Sequence, residues 1–222
     1  MNIVALLPMK GNSERVPNKN LKFFAGKPLY HRVIDVLLSS RYINQIIVNT
    51  DSENIIKDIK KKYTKNIIIN IRPEEIIGNY VSMNKIIAHD ISTADADLFV
   101  QTHSTNPLLS SETVDKAIER MLMFLKTSEY DSIFSVTKTQ KRFYTKEAKP
   151  MNHDPLMLVT QHLEPIYEEN SSFYIFSKQS FIKNNNRIGS KPFMYEIDKI
   201  ESIDIDEPDD FIIAESLFKL LR

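Results

Sequence analysis

Apolar runs of strand length alternate with stretches of helical period along most of this chain, and no other feature restricts its fold as much. That alternation specifies an α/β architecture, an open and largely parallel sheet covered by helices, because parallel neighbours need a crossover and a helix is the usual one. Strands are expected at 3–7, 46–48, 67–71, 98–100, 132–136, 172–176, 193–197 and 202–205. Pro28 opens a helix with Leu29, Val33, Val36 and Leu37 on one face, and 52–62 follows with Ile55, Ile56 and Ile59 inward. Further helices are expected at 82–91, around Val114, Ile118, Met121 and Leu125, and at the end of the chain with Phe211, Ile212, Leu217 and Leu220. From 138 to about 168 the periodicity lapses under three Pro, clustered Lys and scattered aromatics, the mark of an insertion or arm on a single domain of 222 residues.

Composition removes several classes of function. Without Cys there is no disulfide scaffold, thiolate zinc site or Cys nucleophile, and a cytoplasmic setting is expected. The 29 basic and 29 acidic residues cancel, so no overall field attracts nucleic acid or an anionic membrane, and any anion site must be local. No apolar run approaches the roughly 20 residues of a spanning helix, and the first residues lack a signal-peptide pattern. The five His show no zinc-ligand spacing. G-x-G-x-x-G, G-x-x-x-x-G-K-[ST] and G-x-S-x-G are all missing, which leaves dinucleotide dehydrogenases, P-loop nucleotidases and Ser hydrolases without support.

In open α/β sheets ligands bind beyond the carboxyl ends of the strands, so the segments after strands are the ones to search. After the first strand, residues 8–20 carry Lys10, Arg15 and Lys19 with Gly11, Asn12, Ser13 and Asn20. They read either as a phosphate cradle of backbone N–H groups and cations or as a solvated basic loop. Asn49-Thr50-Asp51 precedes a helix that Ser52 can cap, and Pro73 holds Arg72 extended at a strand end, where it either reads a base or decorates a rim. The polar loop from Gln101 to Leu108, with His103 and Thr105, suits sugar hydroxyls or is an ordinary connection. Ser202-Ile203-Asp204-Ile205-Asp206 alternates with period two, placing two carboxylates on one face. Such a pair suits Mg²⁺, which takes one or two protein carboxylates and completes its shell with water and phosphate; an outward polar face gives the same pattern.

Taken in order, these segments are familiar. Residues 8–20 followed by Gly26-Lys27-Pro28-Leu29, then Asn49-Thr50-Asp51, Arg72-Pro73-Glu74-Glu75, Thr105-Asn106-Pro107-Leu108, Asn170-Ser171-Ser172-Phe173-Tyr174-Ile175 and the 202–206 segment resemble the successive motifs of the acylneuraminate (CMP-sialic acid synthetase-like) cytidylyltransferases. The resemblance implies a Rossmann-like three-layer nucleotidyltransferase fold with a mostly parallel mixed sheet. It also implies a homodimer built with the 138–168 arm, and Mg²⁺-dependent formation of a CMP-sugar and pyrophosphate from CTP and a nonulosonic or related 2-keto-3-deoxy acid. Carried over, Lys10, Arg15, Lys19 and Asp206 are catalytic, and Asp204 and Asp206 hold one or two Mg²⁺ ions. By the same carry-over Asn20, Arg72 and Ser82 bind the nucleotide and His103 faces the sugar; this chain's own residues add Asn12 and Ser13 to the nucleotide set and Asp51, Thr105, Arg142 and Asn170 to the sugar set.

Three departures from the family pattern bear on substrate. Met9-Lys10 stands where relatives commonly have Ala-Arg, and Glu14 where they carry a cation, so Arg15 takes over phosphate duty. In the arm, Val159 or Thr160 occupies the place of an Arg that grips the sugar carboxylate, leaving Lys141 or Arg142 to supply the charge. Rival readings are a metal-dependent glycosyltransferase using Asp204 and Asp206, another sugar nucleotidylyltransferase, whose L-x-x-G-x-G-T-R opening is missing, and a non-catalytic nucleotide or sugar sensor.

Overall fold

The computed structural model describes residues 1–156 and 159–221, so Met157 and Leu158 of the expected arm lie outside the described residues. Strand β1 (Ile3–Met9) is buried at all seven positions, because it is covered on both faces and flanked on both edges. Parallel strands β4 (Gln45–Thr50) and β5 (Ile67–Ile71) extend the sheet on one side, and β6 (Leu98–Thr102) pairs in parallel on the other. Beyond β6 the direction reverses through β8 (Ile166–Ser177), then β7 (Ser132–Thr139) and the parallel edge strand β9 (Pro192–Glu196). The order is β5-β4-β1-β6-β8-β7-β9. The chain therefore winds outward from β1 to β4 and β5 and then crosses back to β6 on the other side of β1, and this reversal of strand order opens a crevice at the carboxyl ends of β1 and β6.

Helices complete three layers. On one face α1 (Leu29–Leu38) and α2 (Glu53–Lys62) seal the sheet through Val33, Ile34, Ile55 and Ile59, while α4 (Ser111–Thr127) packs Val114, Ile118 and Met121 beside Val100 and Ile175. On the other, α3 (Met83–Thr93) and α5 (Lys178–Asn184) cover Val4, Leu6, Phe99 and Phe176 with Ile87, Ile91 and Phe181. The terminal helix α6 (Pro208–Leu221) packs Phe211, Ala214 and Phe218 on Phe24 of a small hairpin formed by β2 (Phe23–Phe24) and β3 (Lys27–Pro28). Ser52, Ser110 and Ser177 cap α2, α4 and α5 with side-chain oxygens that accept a backbone N–H three residues on.

Several expectations are corrected. Residues 202–205 belong to no strand: Ser202 lies in a turn, and the segment is tied to the body by Ile205 N–H to the Thr105 carbonyl at 3.0 Å, by the Asn106 amide to the Ile203 carbonyl at 3.4 Å and by Lys19 Nζ to the Ile205 carbonyl. Gln101 and Thr102 belong to β6 rather than to the loop after it. In α4 the core position falls to Phe124 while Leu125 is exposed, and in α2 Ile56 is half-buried. In α6, Ile212 and Leu220 face outward because the i, i+3, i+7 stripe of Phe211, Ala214 and Phe218 takes the core. The aperiodic 138–168 segment begins and ends as strand, β7 and β8 staying paired up to Thr139 and Ile166; between them the described residues carry only an isolated bridge, Tyr144 to Pro150, and a short 3₁₀ turn at Thr160–His162. The hairpin at 23–28 and helix α5 had no counterpart in the sequence reading.

Candidate active site

The crevice beyond β1 and β6 is a cleft of about 550 Å³. Its walls are the loop that leaves β1, the loop that leaves β6, and the extended 203–206 segment. Close approach holds the first loop in place. Gly11 donates its N–H to Asp51 Oδ1 at 2.7 Å, and a Cβ on Gly11 would meet Ser52 Cβ at 2.9 Å, a distance real side chains do not adopt. Asn18 takes a left-handed conformation at φ 55° and starts the short 3₁₀ turn that presents Lys19 and Asn20. Asn20 then bridges the two loops, donating to the Lys10 carbonyl at 3.0 Å and accepting the Ser104 hydroxyl at 2.7 Å.

The carboxylate wall is set by hydrophobic anchoring. Ile205 is fully buried among Phe24, Leu29 and Phe211, so its neighbours Asp204 and Asp206 turn to the cleft. Asp206 meets Arg15 at 2.9 Å and Lys19 at 3.3 Å, residues nearly two hundred positions earlier in the chain. Arg15 also binds Glu207 at 3.0 Å. The Asp210 carboxylate accepts the N–H groups of Asp206 and Glu207 at 3.0 and 2.7 Å and fixes this end of the segment at the start of α6. Burial raises the Asp204 carboxyl above its ordinary value, opposed by a hydrogen bond from Thr105, and its Oδ1 is buried without a hydrogen-bond partner. A buried carboxylate oxygen left unsatisfied beside a second carboxylate is a donor set that fits Mg²⁺, which needs few protein oxygens. Among the described residues no group of three or more His, Asp or Glu forms a denser metal cluster.

His103 lines the cleft with its Nε2 buried and unpartnered; burial first, and then the Arg187 charge, push its pKa down to about 4, so it stands as uncharged imidazole.

The structure thus brings Lys10, Asn12, Ser13, Arg15, Lys19, Asn20, His103, Thr105, Asp204 and Asp206 to one cleft. The remaining expected residues stand elsewhere. Arg72 is 4 % exposed beneath the first loop, where it donates to Asn49 Oδ1 at 2.7 Å and to the Met9 and Asn49 carbonyls at 3.1 Å. Asn49 passes the link to buried Asp90 at 2.7 Å, so Arg72 serves as a brace between β1, β4 and α3. Asp51 holds Gly11, and Ser82 is exposed at the N-cap of α3, one residue from the cleft-lining Met83. Asn170 spends its amide on Ser135, Thr137 and the Ser172 N–H, pinning the irregular pairing of β7 and β8; Ser171, left-handed at φ 57°, is the residue of that motif that reaches the cleft. Arg142 is exposed on the arm, outside the cleft lining. Asn79 and Glu14 were missed or discounted: the Asn79 amide accepts Lys10 Nζ at 3.1 Å and donates to Glu14, closing the rim over the basic loop.

A mostly parallel mixed sheet with helices on both faces, and a site at its β1–β6 crevice, define a nucleotidyltransferase-type α/β fold. The CMP:2-keto-3-deoxy-manno-octonic acid synthetase complexed with CTP superposes over the whole of both chains with a TM-score of 0.72 at 12 % identity. The sequence model of the family described as Cytidylyltransferase matches residues 4–220, and the chain belongs to that family. It is 26 % identical over 222 residues to an N-acylneuraminate cytidylyltransferase of Streptococcus agalactiae, covering 96 % of this chain and 52 % of the relative. It is 28 % identical over 230 residues to the CMP-N,N'-diacetyllegionaminic acid synthase of Legionella pneumophila, covering 99 % and 97 %. The chain thus spans about half the length of the N-acylneuraminate relative and nearly all of the legionaminic one. No helix of the described residues is long and apolar enough to cross a membrane.

Proposed function

We propose that the chain transfers the cytidylyl group of CTP to the anomeric hydroxyl of a 2-keto-3-deoxy sugar acid of the nonulosonic or octulosonic type, releasing pyrophosphate. The observation that carries this reading is the convergence of Arg15 and Lys19 on Asp206, at 2.9 and 3.3 Å, in the same cleft as Lys10, Asp204 and His103. Cations on one wall suit a triphosphate, and a carboxylate couple on the other suits the ion that accompanies it.

In this reading the hydroxyl oxygen attacks the α-phosphorus in line with the departing pyrophosphate. Charge accumulates on phosphate oxygens, and Lys10, Arg15 and Lys19 contribute by neutralising it and by holding the chain of phosphates in a fixed pose. One or two Mg²⁺ ions held by Asp204 and Asp206 would supply further neutralisation there. Arg15 and Lys19, which pair with Asp206 at 2.9 and 3.3 Å, would be free to face the phosphates were that carboxylate taken up by Mg²⁺. Asn20 and the backbone of the first loop, held over Asp51, accommodate the nucleoside; neutral His103, with Thr105 and Ser171, offers hydrogen bonds to sugar hydroxyls. The cellular setting is the cytoplasm, and the arm joins two copies: Phe143, Tyr144, Met151 and Leu156 on it are exposed, and an apolar surface of that kind is stabilised by burial in a second chain.

A pyrophosphate-release assay crossing four nucleoside triphosphates with a panel of 2-keto-3-deoxy acids tests the reading. Turnover is expected with CTP alone among the nucleotides and only with an acid present. Consumption of a nucleotide sugar with release of its nucleoside mono- or diphosphate, and no pyrophosphate from CTP, would favour a glycosyltransferase, and binding without release a sensor.

A further inference from the structure

Arg187 occupies a place that no sequence motif marked. After α5 the chain turns sharply: Asn185 is left-handed at φ 47°, and Asn186 Oδ1 accepts the Ile188 N–H at 3.1 Å. The turn lays the Arg187 side chain back across the sheet. There Nη1 donates to Gln101 Oε1 at 2.6 Å, Nη2 donates to the Tyr174 hydroxyl at 3.1 Å, and Cζ stands 3.7 Å from the Tyr174 ring centroid. Gln101 and Tyr174 are direct cross-strand partners of β6 and β8, so two strands and a ring face fix the plane of the guanidinium. The Tyr174 hydroxyl in turn bonds Ser171 Oγ at 3.0 Å, and Ser171 lines the cleft.

The charge at this position has no carboxylate in direct contact; Glu169 acts on it only from across the Tyr174 hydroxyl. Among the described residues Arg187 makes no ion pair; its partners are an amide oxygen and a phenol, and Glu169 reaches the phenol instead. Holding a cation in a partly dry position on neutral acceptors is unfavourable unless an anion joins it. Arg187 stands behind the cleft lining, next to Ser171 through Tyr174, whereas the cations that line the cleft are already engaged, Arg15 and Lys19 with Asp206 and Lys10 with Asn79. The Arg187 charge reaches the cleft at His103, where it is the strongest electrostatic influence on that imidazole after burial itself, ahead of Asp206 and Lys19.

We propose that Arg187, held by Gln101 and Tyr174, recognises the carboxylate of the sugar acid. This assignment rests on the cytidylyltransferase reading of the same cleft. Three of the five guanidinium N–H groups remain after the bonds to Gln101 and Tyr174, enough for the two-point grip that a carboxylate favours.

The test compares steady-state kinetics of the unaltered enzyme, Arg187→Met and Arg187→Lys with CTP and two substrates: the sugar acid turned over best, and its neutral carboxamide. The unaltered enzyme is expected to prefer the acid by about 30-fold in KM, the size of a lost charge-assisted contact, and Arg187→Met to bring that preference close to unity with the CTP KM held within about 3-fold. An acid preference that survives in Arg187→Met, or its absence in the unaltered enzyme, overturns the inference, and so does an equal rise of both KM values, the signature of a purely structural brace. Should Arg187→Met not fold, Arg187→Lys decides: a higher KM for the acid alone supports the grip, and equal changes for both substrates refute it. Silence of the unaltered enzyme across the whole panel removes the cytidylyltransferase reading and this inference together.

Discussion

Asp206 is held by Arg15 and Lys19 yet remains about half exposed, so its charge is available to a ligand. Exposed ion pairs contribute about 0–1 kcal/mol, whereas a charge placed at a transferring phosphoryl group contributes several. Asp206→Asn is therefore expected to lower kcat by at least about 100-fold while the melting temperature moves by no more than about 3 °C, checked by pyrophosphate release and calorimetry. His103 gives a pH dependence of known sign. In the unfolded chain it binds a proton below about 6.5, in the fold only below about 4, so folding weakens as the pH falls through that window and levels off beneath it. Asp204 and Asp90, both raised by burial, run the other way, so the comparison must be made against His103→Asn. Between pH 7 and 5 that variant is expected to lose less unfolding free energy than the unaltered protein, by on the order of 1 kcal/mol in urea titrations.

The loop after β1 and the Arg72 brace beneath it act as one element. Gly11→Ala places a methyl against Ser52 and must push the loop from Asp51. The expected result is a KM for CTP raised by about 10-fold with kcat less affected, since the nucleotide end of the cleft deforms while the carboxylate wall stays anchored by Ile205. Arg72→Met removes the brace, leaving Asn49 Oδ1 without its donor and buried Asp90 without a nearby positive charge; a loss of about 3 kcal/mol in denaturant titration is expected. Most of the sheet was legible because β1, β4, β6 and β8 carry apolar runs over a buried core, and the 204–206 alternation was legible because Ile205 needs a core while its neighbours do not. Other pieces were hidden for physical reasons. The hairpin at 23–28 consists of two two-residue strands, and both Ala25 and Ser171 adopt positive φ without being Gly. Arg72 and Arg187 could not be assigned from the chain, because their partners, Met9 and Asn49 for one and Gln101 and Tyr174 for the other, meet them only through tertiary packing.

At the scale of the molecule, a single crevice gathers the start of the chain, its middle and its end. The arm exposes Phe143, Tyr144, Met151 and Leu156, and the full chain is expected to sediment at twice its mass, with removal of 141–164 giving monomers. A monomeric full chain would contradict the proposed dimer and leave the cleft argument untouched. The cleft is tested most directly by following the phosphorus itself, with CTP labelled at the α-phosphate and a 2-keto-3-deoxy acid as acceptor. The account expects the label to leave CTP only when the acid is present, to reappear joined to the sugar in step with pyrophosphate, and to stay in CTP with Asp206→Asn. Label found as free CMP at the same rate with and without the acid, or undiminished transfer by Asp206→Asn, would contradict it.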